Sequence, residues 1–231
     1  MPTRMMQLGE LPHVDLVRGI PASRTESEGD LPVYSVAALR NGDYPQRYVS
    51  REELESSDST LSMANDIWIA IDGGSVGECM VIPDEDPEFV HSQQVAMIRV
   101  WLNAQIDPWY LGAWLSSSEG QDEVTRLARG SAIKRIAFKD LAKVEVPIPD
   151  REVQKRIGDR FRAFSAAILA HQEAASRLMQ LRDADLLLAF TLGDLEQIPA
   201  PGLDSDAPLS STVQGVESES TSESNDHGVE Q

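Results

Sequence analysis

Six basic side chains, Arg126, Arg129, Lys134, Arg135, Lys139 and Lys143, crowd around the dipeptide Gly130-Ser131, and five more follow at Arg151, Lys155, Arg156, Arg160 and Arg162. Ammonium and guanidinium groups at this density suit phosphate oxygens, and an arginine fork also matches a guanine edge. The chain as a whole carries a formal net charge of -18, which argues against a polyanionic partner until its distribution is considered. Residues 1–125 hold seven basic and twenty-one acidic side chains, whereas residues 126–192 hold thirteen and eight. The segregation marks a local basic patch. A solvated helix face with i,i+4 pairs such as Glu152 with Arg156 explains the same charges equally well.

Catalytic chemistry has little support. There is no His-Glu-x-x-His metal motif, no paired-acid arrangement with supporting context, and no cysteine with a plausible histidine neighbour. The aromatic loop and glycine-rich cofactor loop of an adenine methyltransferase are also missing, so the chain is read as non-catalytic, with no cofactor. The single cysteine, Cys79, excludes an internal disulfide framework, and His13, His91, His171 and His227 are too scattered to predict a metal site. Gly73, Gly74 and Gly77 follow a strand-like run, but a second strand comes next and no Lys-Ser or Lys-Thr does. A tight turn is therefore expected rather than a nucleotide loop. Ser75 on that turn can still face a nucleic-acid backbone or base edge.

The elements that must position these groups give a mixed α+β domain. A first strand or turn is expected over residues 8–17, a short strand over 33–36, a turn at Asn41-Gly42-Asp43 and a polar helix after Ser50. Ile67, Ile69 and Ile71 alternate with Trp68, Ala70 and Asp72, and a second run at 79–82 completes a hairpin-like pair. A third strand is expected over 94–100. One or two helices start near Asp107, with Pro108 at the first helical position. Val144, Val146 and Ile148 then form a short strand interrupted by Pro147 and Pro149.

From Asp150 a helix of some forty residues is expected, roughly 60 Å at ~1.5 Å per residue. Its apolar positions Ile157, Phe161, Phe164, Ile168, His171, Ala175 and Leu178 recur at heptad spacing, a narrow seam that wants a partner helix. A terminal helix lying along its own domain is the other reading. From Pro199 the sequence has no aromatic, Lys or Arg, which predicts a disordered acidic tail. The expected organisation is a globular domain over 1–149, a coiled-coil dimerisation or spacer helix over 150–192, and the tail over 193–231. No secretory leader or membrane-spanning run is evident, which predicts a cytoplasmic protein.

The succession LSMANDIWIAIDGGSVGECMVI, VHSQQVAMIRV, DPWYLGAWLSSSEGQDEV and GSAIKRIAFKDLAKVEVPIPDREVQKRIGDRF resembles one half of a type I restriction-modification DNA specificity (S) subunit. The resemblance covers about residues 6–190 and is most specific at Gly130-Ser131, Ile136, Leu141, Val146, Pro147, Ile148, Pro149, Gln154 and Ile157. Asp150 and Val153 depart from it, standing where the family pattern has a second proline and a glutamate.

The resemblance implies a half-size specificity subunit with a single target-recognition domain. Its partners would be double-stranded DNA, the methyltransferase (modification) subunit and the restriction subunit. Two copies, or this chain and a second specificity chain, would pair their long helices antiparallel and read a bipartite site, directing adenine methylation and restriction to it. Expected DNA contacts are Lys134, Arg135, Arg129 and Ser131 in the Gly-Ser loop, Arg47 and Arg51 after the Asn-Gly turn, and Ser75. Lys134 and Arg135 pairing instead with Asp140 or Glu145 is the structural alternative. Two other functions compete: a recognition module of another phage-defence or DNA-modifying complex, and an acidic protein-interaction or DNA-mimic module.

Overall fold

A computed structural model describes residues 4–55, 61–83, 88–130 and 133–192. The predicted acidic tail over 193–231 and the candidate Ser131 lie outside the described residues. The chain divides into two compact units, Met1–Gln180 and Leu181–Gln231.

In the first unit the central element is a four-stranded antiparallel sheet in the order β2-β8-β5-β6. It comprises β2 (Val14–Arg18), β8 (Val95–Val100), β5 (Ile67–Ala70) and β6 (Cys79–Val81). The predicted hairpin is there: Ile67 faces Val81 and Ile69 faces Cys79. Both faces of the central strands are buried, which accounts for the unbroken apolar run from Ile67 to Ile71. Ile67, Ile69, Ala96 and Ile98 enter the main core, while Trp68, Ala70, Val95 and Met97 pack on the opposite side with Val36 and Ile82.

The main core is closed by α3 (Pro108–Ser116), α4 (Ser118–Arg126) and the short α5 (Phe138–Leu141). Asp107 caps α3 by accepting from the Tyr110 amide at 2.9 Å, with Pro108 in the first turn as expected. A two-stranded antiparallel sheet pairs β1 (Arg4–Gln7) with β9 (Glu145–Ile148). Pro147 does not end β9; it lies within it, opposite Met5, and its carbonyl accepts from the Tyr110 hydroxyl at 2.7 Å. A two-stranded ribbon has no second neighbour to demand the missing N–H.

A third sheet, ordered β4-β3-β7, joins β3 (Leu31–Tyr34) antiparallel to β4 (Tyr48–Val49) and parallel to β7 (Val90–His91). Here the structure departs from the expectation of a strand over 33–36 leading to a turn. The strand stops at Tyr34, Ser35 caps a helix, α1 (Val36–Asn41), by accepting from the Ala38 amide, and Gly42 ends it with φ +69°. The short polar helix after Ser50 is α2 (Arg51–Glu55).

The long helix α6 runs over Arg151–Leu192, as the sequence predicts from Asp150. Gln154 staples its first turn to the domain, donating to Pro149 O (2.9 Å) and Gln105 O (3.3 Å) and accepting from the Asp107 amide (2.9 Å). Gly158 permits the close approach, because a Cβ there would lie 2.8 Å from Asp107 Oδ1 and 3.1 Å from the Tyr110 nitrogen. Phe161 follows, 6.3 Å from Trp109 between ring centres. Among the described residues, no helix is long and apolar enough to cross a membrane.

Candidate nucleic-acid interface

The basic loop is anchored to the end of the central strand β5. Arg129 and Arg135 exchange backbone hydrogen bonds of 2.8 and 2.9 Å, which closes the loop on itself. On its other side the Ile136 amide donates to Ile71 O (2.8 Å) and the Gly73 amide to Lys134 O (3.2 Å). The segment 134–136 is thus held between Arg129 and residues 71–73, with isolated antiparallel bridges Asp72–Arg135 and Arg129–Arg135. Gly130, at φ +106°, permits this closure: a Cβ would sit 2.2 Å from Ile133 O.

The same hydrogen bonds place the glycine turn beside the loop, so Ser75 and Lys134–Arg135 share one edge of the domain. Gly73 and Gly77 both have positive φ, +95° and +94°, consistent with the tight turn expected there. The Gln121 amide fixes the turn from α4 by donating to Gly77 O at 2.7 Å. Gly73-Gly74-Ser75-Val76-Gly77 also spells the G-x-S-x-G pattern of a hydrolase nucleophile elbow. An elbow needs a strand-to-helix turn, whereas this one joins the antiparallel β5 and β6. Nor is Cys79 suited to attack: burial pushes its thiol up to about 11, only partly offset by a 3.0 Å hydrogen-bond contact with the Ser116 hydroxyl.

Charge pairing differs from the alternative raised by the sequence. Arg135 meets Asp72 at 2.9 Å, rather than Asp140 or Glu145. Asp140, almost fully buried, takes Lys143 at 2.7 Å and Arg129 at 3.4 Å. The Lys143 hydrogen bond, opposed by partial desolvation and aided by the charges of Lys143, Arg129 and Lys139, holds the Asp140 carboxyl below the usual carboxylate range. Arg18, on β2, stacks 4.5 Å from the centre of the Phe138 ring beside Lys139. Lys134, Arg135, Arg129 and Lys143 all remain largely exposed despite these anchors.

Asp72 is not among the residues singled out from the sequence, and Asp140 is there only as a possible partner for Lys134 or Arg135. Asp140 carried a local signal, its i,i+3 spacing to Lys143, but Asp72 lies sixty-three positions before Arg135 in sequence. Arg47 and Arg51 are placed elsewhere, at the third sheet. Arg47 is exposed and lends its backbone carbonyl to Val33, while Arg51 pairs with Glu88 at 3.1 Å. The hydrogen bonds that join loop and turn include neither residue.

The helix seam divides between two surroundings. Phe161 packs into its own domain, but Ile157, Phe164, Ile168 and Leu178 are 40%, 63%, 56% and 61% exposed. His171 and Ala175 are exposed as well.

The model of the type I restriction modification DNA specificity domain matches residues 3–176. A Haemophilus influenzae protein assigned as a type I restriction enzyme specificity subunit is 26% identical over 202 residues, which span 81% of this chain and 48% of that protein. Among solved structures, the S subunit of a type I restriction-modification system from M. genitalium aligns at TM-score 0.59 and 19% identity, covering 83% of this chain and 46% of that one. The HsdS subunit from Thermoanaerobacter tengcongensis aligns at TM-score 0.50 and 22% identity, covering 81% and 44% respectively. The chain therefore spans about half the length of the relatives it matches.

Proposed function

The chain belongs to the type I restriction-modification DNA specificity domain family, and from that premise we propose that it directs adenine methylation and restriction to a bipartite DNA site by reading one half of that site. The observation that carries this reading is the basic loop locked to the end of β5, with Lys134, Arg135, Arg129 and Lys143 exposed on one edge of an otherwise acidic domain. Cations in such a cluster hold phosphates, and a rigid backbone fixes which base edges they meet. Catalysis belongs in this scheme to a separate modification subunit, with a restriction subunit as a further partner. Pairing of α6 with a second copy or another specificity chain would supply the second reading head and match a two-fold protein to a two-part target.

Methylome sequencing of cells with and without the gene tests the reading. Deletion is expected to abolish one bipartite adenine-methylation motif, and re-expression to restore it. An unchanged methylome in a methylation-competent strain would sink the proposal. It would favour the acidic protein-interaction or DNA-mimic module, whereas loss of a different modification would favour recognition for another DNA-modifying complex.

The loop has its own test. In Gly130→Ala the new Cβ meets Ile133 O and the backbone remains at positive φ, a strain of about 1–3 kcal/mol. Displacement of Lys134 and Arg135 should weaken binding to the target duplex roughly tenfold or more, measured by fluorescence anisotropy. Unchanged affinity would mean that the loop does not touch DNA.

A further inference from the structure

Within the proposed DNA-reading function, on which this inference rests, we infer that Arg135 is the base-reading residue of the loop and that Asp72 is its positioning residue. Among the loop cations, Arg135 combines a planar fork with restraint at both ends. Its backbone is held on one side by the paired hydrogen bonds to Arg129 and on the other through Lys134 and Ile136 to residues 71–73. Its guanidinium forms an ion pair with the Asp72 carboxylate, one terminal nitrogen lying 2.9 Å from one oxygen, while its side chain stays 66% exposed. A guanidinium has five N–H donors, so a carboxylate paired with one terminal nitrogen leaves the other donors open to solvent. That is what bidentate contact with guanine O6 and N7 requires.

The neighbouring cations suit phosphate instead. Lys134 has no planar fork, and Lys143 presents a point charge while resting on Asp140 at 2.7 Å. Arg129 is more open, 81% exposed, and its hydrogen bond to Asp140 is long at 3.4 Å. Asp72, 22% exposed where Asp140 is 5%, makes little sense in a pure phosphate clamp. A carboxylate beside the DNA backbone repels it and lowers affinity for every sequence alike. Beside a base-reading arginine the same charge lowers nonspecific binding and aims the fork, raising discrimination at one base pair.

Asp72→Asn and Arg135→Lys alleles, each replacing the gene in its native cell, test this by methylome sequencing, with the purified full-length chains melted to check folding. Wild type should restore a motif with one position fixed as a G·C pair. Both variants should keep methylation at that motif but admit other bases at this single position, discrimination there falling roughly 5- to 150-fold. A wild-type gene that restores no motif overturns the DNA-reading function itself. If wild type restores a motif and both variants reproduce it unchanged, Arg135 does not read a base. Uniform loss of methylation at all sites by folded variants assigns the pair to phosphate anchoring and likewise overturns the inference. Should Asp72→Asn fail to fold, Arg135→Lys alone decides, because it keeps the charge and removes only the fork.

Discussion

Replacing Asp66 with alanine should lower the unfolding free energy by about 3–5 kcal/mol. Asp66 immediately precedes β5 and its side chain is 2% exposed; its partner Arg99, on β8, is 6% exposed. The two meet as a fork, with Arg99 Nε 2.9 Å from Oδ1 and an Arg99 terminal nitrogen 2.6 Å from Oδ2. Oδ2 also accepts from the Met63 amide at 2.7 Å, and Arg99 also donates to Leu61 O at 2.8 Å. Alanine would remove from the protein interior the carboxylate that meets Arg99 with both oxygens, and the desolvation penalty of the buried guanidinium drives the loss. Urea denaturation monitored by tryptophan fluorescence measures it.

The paired variant Asp66→Leu with Arg99→Met should recover most of that stability, since two well-packed apolar side chains commonly replace a buried ion pair at no net cost. Recovery would locate the effect in the stranded charge. A fall below about 1 kcal/mol in Asp66→Ala, the scale of an exposed pair, would mean that water reaches Arg99 and that the fork contributes little. The effect also bears on the proposed DNA reading, because Asp66 sits at one end of β5 and the Asp72–Arg135 bridge just beyond the other.

Much of this architecture was legible because its causes are local. The Asp107-Pro108 start of α3, the glycine turn between β5 and β6, and the polar-apolar rhythm after Asp150 are all written within a few residues of where they act. Gln154 was legible through the family resemblance, and its three hydrogen bonds supply the physical reason for a glutamine there. What escaped is non-local or depends on length. The segment Val36–Asn41 begins with a β-branched residue and makes under two helical turns, too short for a periodic signal, so its Ser35 cap was read as part of a strand. The parallel pairing of β3 with β7 joins Val33 to Val90 and Tyr34 to His91, and two-residue strands carry no pattern of their own. The candidate site divides the same way: the cations formed a visible cluster, but the carboxylate that meets Arg135 comes from the segment just beyond β5, far away in sequence.

The second large effect is expected on α6. Phe164→Asp with Ile168→Asp should raise the dissociation constant of helix pairing by at least about 100-fold. Fully burying each such apolar side chain stabilises an interface by roughly 1.5–3 kcal/mol, and 2.7 kcal/mol corresponds to a factor of about 100. Ile157, Phe164, Ile168, His171, Ala175 and Leu178 share one face of the helix. At 3.6 residues per turn it is rotated about a quarter turn from the face of Gln154 and Gly158, which meets the domain. Phe161 borders both faces, and its contact with Trp109 makes it a poor test residue, since changing it would disturb the domain core. Phe164 and Ile168 are more than half exposed within the chain, so aspartate there should leave the melting temperature of the separated chain nearly unchanged. Sedimentation equilibrium over a range of concentrations should give about two chains for wild type and one for the variant. A wild-type chain that stays single throughout would exclude self-pairing and leave a second, different specificity chain as the partner. A variant that still pairs would place the contact on another face of α6. If the paired helices do set the spacing between two half-sites, the variant should also lose methylation at the bipartite motif while its folded domain keeps the basic loop intact.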